Sequence, residues 1–219
     1  MFKAAIFDLD GLMIDSEPIW REVESAVFSA RGAPVSIAEC AQTMGLRVDE
    51  VVHFWQQRFP KASLDIGETQ AEIIEGVIKL VEARGEPMPG VMGAIDLIRS
   101  MGLKLGLASS SSMAIIEAAL RRFDLSGAFD AVCSAEMERR GKPAPDVYLS
   151  AIARLGIAPG EGVAFEDSFN GVESARAAGL VCVCVPDRMA DRARLRANLL
   201  LNSLEELSAE TILKLNDKR

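Results

Sequence analysis

The stretch "IFDLDGLMID", residues 6–15, decides how the chain is read. Ala4, Ala5, Ile6, Phe7 and then Leu9 have the pattern of a buried strand. Asp8, Asp10 and Asp15 nevertheless place three carboxylates within eight residues, in a chain whose formal net charge is −8. Like charges this close repel unless a cation sits among them. In open α/β sheets, ligands bind beyond the carboxyl ends of the strands. An apolar strand ending in acids therefore points both to a fold and to a site.

The rest of the chain supports that fold. Near-continuously apolar runs lie at 3–8, 103–109, 131–134, 162–167, 181–185 and 198–201. Such runs suit a parallel sheet covered on both faces. Helical patterns separate them at 113–123, 145–155, 170–178 and 203–214, which is the alternation of an α/β protein. Residues 16–86 interrupt it with helices alone. One opens at Ser16, with Pro18 in its first turn, and closes at Gly32; Ile19, Trp20, Val23, Val27 and Ala30 form its apolar stripe. Others are expected near 48–59 and 66–84, before a linker at "EPMPG", 86–90. The expected architecture is a Rossmann-like parallel sheet with helices on both faces, and a small all-helical domain inserted after strand one. Its expected division is 1–15 and 88–219 for the core and 16–87 for the insert.

With 219 residues, 49% hydrophobic and 26% charged, the chain can bury a sizeable core. Its acidic balance disfavours nucleic acid and anionic membrane as partners. No apolar run approaches a membrane span, and the first residues lack a basic-then-apolar leader pattern. Cys182 and Cys184 fall in a predicted buried strand, so a structural role is expected for them. A cytoplasmic, monomeric protein is the expectation. His53 is the sole histidine, which leaves no room for a multi-histidine zinc site and little for a His-based triad.

The predicted strand ends bring the chemistry together. Asp8 and Asp10 follow the first strand, "SSSS" (109–112) the second, and Glu166-Asp167-Ser168 the fourth, with Lys142 in a turn before Pro143. Four carboxylates, a hydroxyl cluster and one lysine imply a hard divalent cation, and Mg²⁺ suits oxygen ligands. The matching chemistry is phosphoryl transfer through a carboxylate: one Asp attacks phosphorus and a second handles protons. Each piece has a plainer reading when taken alone. D-x-D-G is compatible with a turn, "SSSSM" with a helix cap, Lys142 with a surface lysine, and "EDSFNG" with a capped loop. The ordered set argues otherwise.

Quoted in order, "DLDGLMIDSEP", "LASSS", "GKPAPD" and "FEDSFNGVESARAAG" resemble the four motifs of the haloacid dehalogenase superfamily, and the helical insert resembles its cap domain. Within it, the detail is similar to the group of β-phosphoglucomutase and the 2-deoxyglucose-6-phosphatase-like and hexitol phosphatases. The resemblance implies that Asp8 is nucleophile and Asp10 general acid/base. It implies Mg²⁺ on the Asp8 side chain, the Asp10 carbonyl and Asp167, with Glu166 close by, and phosphate on Ser109, Ser110 and Lys142. Ser111 and Asn170 would line the same mouth, and Gly45 and Arg47 of the cap loop would face the substrate. The implied activity is a phosphatase acting on small phosphorylated metabolites. Mutase and phosphoglycolate phosphatase activities are the alternatives. Where the mutase has a histidine and a lysine, this chain has Trp20 and Met44. Trp20 has two readings, packing in the cap or stacking on a sugar, and Glu17 shares the ambiguity.

Overall fold

The structure is a computed structural model that describes residues 1–186 and 191–217. Six strands, β1 (Ala4–Phe7), β2 (Lys104–Ser109), β3 (Ala131–Ser134), β4 (Gly162–Glu166), β5 (Val181–Cys184) and β6 (Leu199–Leu200), pair in the order β3-β2-β1-β4-β5-β6. Every pairing is parallel. Alternate side chains of β1 enter different cores. Ala5 and Phe7 pack with residues of α4 (Val91–Ser100), α5 (Met113–Arg122) and α8 (Ala209–Asp217). Ala4 and Ile6 pack with residues of α6 (Asp146–Leu155) and α7 (Phe169–Ala177). The strand is therefore apolar at every position because both of its faces are covered. Phe7 also stacks on Phe165 of β4, with ring centroids 4.7 Å apart.

Three helices lie between β1 and α4: α1 (Glu17–Ala30), α2 (Val48–Arg58) and α3 (Ile66–Arg84). Their shared core holds Val23, Phe28, Trp55, Ile73 and Val77. The two chain segments that lead into and out of them are tied together. The Asp15 N–H donates to the Glu86 carbonyl and the Met88 N–H to the Met13 carbonyl, both at 3.0 Å.

Three local expectations need correction. Ala30 is exposed, and Phe28 takes the buried position on α1. Ser16 precedes α1 but its hydroxyl makes no capping bond; it donates to Asp10 instead. The helix expected at 203–214 is broken into a single turn at Leu204–Glu206 and α8. Ser203 accepts from the Glu205 N–H and Ser208 from the Thr211 N–H, so two serines start two separate turns.

Candidate active site

In this strand order the direction of winding reverses between β1 and β4, and the crevice there is the ligand position of doubly wound sheets. Asp8 follows β1 directly, and its N–H donates to the Phe165 carbonyl of β4 at 3.0 Å. Glu166 and Asp167 close β4 one residue farther along. Parallel register thus carries all three acids to one point. Their carboxylate oxygens lie within 4.8 Å of one another, and all three residues are buried. Gly11 makes this packing possible: its φ is +77°, and a Cβ there would sit 2.1 Å from Asp167 Oδ2.

Lys142 reaches into the cluster from the loop before α6. Its Nζ donates to Asp8 Oδ1 at 2.7 Å, to Glu166 Oε1 at 2.6 Å and to the Ala108 carbonyl at 3.1 Å. Tyr148, the one tyrosine of the chain, donates its hydroxyl to Glu166 Oε1 at 2.5 Å. Burial works against the Lys142 ammonium, but the charges of Asp8 and Glu166 outweigh it and hold the proton above the usual lysine range. Burial, with repulsion from Glu166, lifts the Asp8 carboxyl to about 7. Burial and the neighbouring Asp8 and Glu166 also push Asp167 well above the ordinary carboxylate range. When all three carboxyls are ionised, one ammonium leaves two negative charges uncompensated, and the raised pKa values of Asp8 and Asp167 register that strain. An all-oxygen donor set with that surplus fits a hard divalent cation, and Asp8, Glu166 and Asp167 are the residues that would hold it.

The Asp10 carboxylate stands outside this cluster. Four donors surround it. Ser16 Oγ (2.7 Å) and Trp20 Nε1 (2.8 Å) donate to Oδ1, and Ser111 Oγ (2.6 Å) and Ser109 Oγ (3.3 Å) to Oδ2. Two of these donors precede or belong to α1, one ends β2 and one follows it. Asp10, Lys142, Ser110 and Ser111 line one cleft together with Trp20, Glu24, Cys40, Thr43 and Met44 from the helical segment. The cleft is open at its mouth and has a cavity volume of about 50 Å³.

Other expected site residues sit differently. Ser109 is fully buried with its hydroxyl spent on Asp10 and the Ser111 N–H, and Ser110, Ser111 and Ser168 are the serines that line the cleft. The Ser110 hydroxyl donates to the Gly45 carbonyl at 2.9 Å. Gly45 lines the cleft, but Arg47 does not. The Arg47 guanidinium donates to the Ala135 and Glu138 carbonyls at 3.3 and 3.0 Å and pairs with Asp49, because those carbonyls converge where the loop crosses the end of β3. Asn170 reaches the Met44 carbonyl at 3.4 Å, and Ser168 caps α7 through the Gly171 N–H. Cys182 and Cys184 are buried in the apolar core beside α6 and α7. Trp20 does more than pack, since its indole N–H is a ligand of Asp10. Glu24 and Tyr148 escaped the sequence reading. Glu24 carried a signal: it lies one turn after Trp20, a carboxylate on the apolar side of a helix.

Comparison with known proteins gives the same picture. The chain is 42% identical over 213 residues to hexitol phosphatase B of Escherichia coli O157:H7, a match covering 96% of each protein. It is 32% identical to the phosphorylated carbohydrates phosphatase of Thermotoga maritima, over 81% of this chain and 82% of that one. Among solved structures, a mutant of CbbY from Rhodobacter sphaeroides in complex with xylulose-(1,5)bisphosphate superposes with a TM-score of 0.83 at 29% identity, covering 95% of this chain and 97% of that chain. The sequence profile of haloacid dehalogenase-like hydrolases matches residues 2–179, and the chain belongs to that family.

Proposed function

We propose that the protein is a Mg²⁺-dependent phosphatase of small phosphate monoesters, sugar or sugar-alcohol phosphates, working through an aspartyl-phosphate. In this reading residues 16–87 act as a cap over a core of residues 1–15 and 88–219. The observation that carries it is the buried Asp8, held at one oxygen by Lys142 and adjacent to Glu166 and Asp167, with Asp10 lining the same cleft. The hexitol and carbohydrate phosphatases among the relatives support the substrate class.

Asp8 attacks phosphorus, and the bond from phosphorus to the ester oxygen breaks as the new one forms. Asp10 delivers a proton to the departing alcohol. It then takes one from the water that attacks the aspartyl-phosphate, which frees Asp8 and inorganic phosphate. Lys142 orients Asp8 through Oδ1 and offsets charge on the transferring group. Ser110 lines the cleft with its hydroxyl on the Gly45 carbonyl, and Ser111 holds Asp10 at the mouth of β2. A bound Mg²⁺, held by Asp8, Glu166 and Asp167, would neutralise the phosphoryl oxygens further. Arg47 joins the helical segment to core carbonyls.

A phosphate-release screen over hexose, hexitol, glycolate and nucleotide monophosphates, with Mg²⁺ and with EDTA, tests the reading. Release is expected with Mg²⁺ for sugar or hexitol phosphates and is lost in Asp8→Asn. Turnover that survives Asp8→Asn refutes the mechanism. Conversion of one sugar phosphate into another without net phosphate release refutes the phosphatase in favour of the mutase.

A further inference from the structure

We infer that Glu24 is the residue with which the cleft recognises its substrate: its carboxyl binds a hydroxyl of an uncharged polyol chain at the end remote from the phosphate, and the cleft excludes a second anionic group there. This rests on the phosphatase reading and names its substrate class.

Glu24 lies on α1, is 6% exposed and lines the same cleft as Asp8 and Asp10. Its neighbour is the Cys40 thiol, a weak donor that is itself turned to the Ser36 and Arg21 carbonyls. A buried carboxyl left this poorly satisfied is costly unless a ligand supplies a partner. Burial, the largest influence, raises its pKa to about 8, so near neutral pH it keeps its proton and both donates and accepts. A sugar hydroxyl has the same two capacities.

Position sets the reach. Trp20 touches Asp10, the group assigned to the ester oxygen, and Glu24 follows one helical turn later. Four residues advance a helix by roughly 6 Å. That spacing exceeds a two-carbon acid and suits a chain of five or six carbons. Met44, Leu46, Val48 and Val51 supply apolar walls around it.

Charge argues against a second phosphate or carboxylate. The cations lining the cleft are Lys142 and Arg21. Lys142 is committed to Asp8 and Glu166. Arg21 is paired with Glu17 through Nε at 3.1 Å and Nη2 at 3.0 Å. Arg47 is turned to the core carbonyls. An incoming anion would meet Glu24 with no uncommitted positive charge beside it.

The test compares a hexitol 6-phosphate with n-hexyl phosphate, which has the same length without the hydroxyls, and with the hexitol bisphosphate. In the wild type, kcat/KM for the hexitol monophosphate should exceed that for hexyl phosphate by about 10⁴-fold, the discrimination expected where a site hydrogen-bonds substrate hydroxyls, and should also exceed that for the bisphosphate. In Glu24→Met, close in size and free of the carboxyl, the hexitol-to-hexyl ratio should fall at least about tenfold. Glu24→Gln, which keeps a donor and an acceptor, should retain most of it. A series of deoxyhexitol phosphates on the wild type reads the same contact without any variant: the largest loss should fall on a hydroxyl four or more carbons from the ester. An unchanged ratio in Glu24→Met, uniform losses across the deoxy series, or bisphosphate turnover equal to that of the monophosphate overturns the inference while leaving the phosphatase intact. Absence of phosphate release from every ester, hexyl phosphate included, overturns the phosphatase and this inference with it.

Discussion

Lys142→Met tests the charge balance of the site. The substitution removes the ammonium that donates to Asp8 at 2.7 Å and to Glu166 at 2.6 Å, in a residue 3% exposed. Breaking a buried ion pair by deleting one partner costs about 3–5 kcal/mol, because the remaining charge is left buried without compensation. At about 2.1 cal/mol/K per residue, 219 residues give an unfolding entropy of about 460 cal/mol/K, so a loss of about 4 kcal/mol lowers Tm by about 9 °C. The loss should depend on pH. Asp8 titrates at about 7 in the folded chain against a model value of 3.8, a raised carboxyl, so its folded state favours the protonated form. Its penalty is absent at low pH and grows as pH rises from about 4 towards 7. Deleting Lys142 removes the influence that restrains this rise, so the variant goes on losing stability above pH 7, while at pH 5 Asp8 keeps its proton in both proteins. Thermal unfolding in EDTA should therefore show a small gap between wild type and variant at pH 5 and the full gap at pH 8. Added Mg²⁺ should close part of the gap at pH 8. A drop below about 2 °C at pH 8, or a gap independent of pH, refutes the assignment of Lys142 as the compensating charge.

Three further substitutions probe the surroundings. Gly11→Ala drives a Cβ into Asp167 Oδ2 and forces a positive φ on an L residue, at about 1–2 kcal/mol for the backbone alone; calorimetric titration should find Mg²⁺ binding weakened at least about tenfold. Trp20→Phe removes one of the four donors to Asp10, and steady-state kinetics should show kcat falling by about tenfold with KM little changed; a change confined to KM would assign Trp20 to substrate packing instead. Glu24→Gln removes a carboxyl raised from 4.5 to about 8. The wild type loses that contribution to stability between about pH 4.5 and 8, so the variant should match it at pH 5 and unfold at higher temperature at pH 9. Equal melting at both pH values would place Glu24 in a solvated setting.

Much of the fold could be read from hydrophobicity because parallel strands advertise themselves. Residues 4–7 are apolar at every position since each faces one of two cores. The acids at the strand ends were legible for the same reason: strand order and register convert positions 8, 166 and 167 into one point in space. What escaped depends on side-chain direction. Ser16 has the composition of a helix cap, yet Asp10 lies within 2.7 Å of its hydroxyl and competes with the helix for it. Arg47 sits in the loop that lines the cleft, yet its long side chain finds two carbonyls beyond the end of β3. Tyr148 is hidden in an ordinary helical pattern, and nothing local signals that α6 aims its hydroxyl at Glu166.

The cleft handles its buried acids in two different ways, and the difference follows from what each is near. Asp8, Glu166 and Asp167 converge closely enough that one lysine leaves a double negative surplus, which only a multivalent cation can offset within the same small volume. Glu24 has no such company. Its nearby cation, Arg21, already belongs to Glu17, and the burial that isolates it costs more than the distant positive charge returns. It therefore stays neutral, where a metal ligand could not. A neutral carboxyl beside a thiol and apolar walls has little affinity for another charge but matches the donor and acceptor of a hydroxyl. The charge pattern thus runs from cation-seeking at the β1–β4 crevice to hydroxyl-seeking one helical turn away, in the sense that a molecule charged at one end and polyhydroxylated at the other would fit.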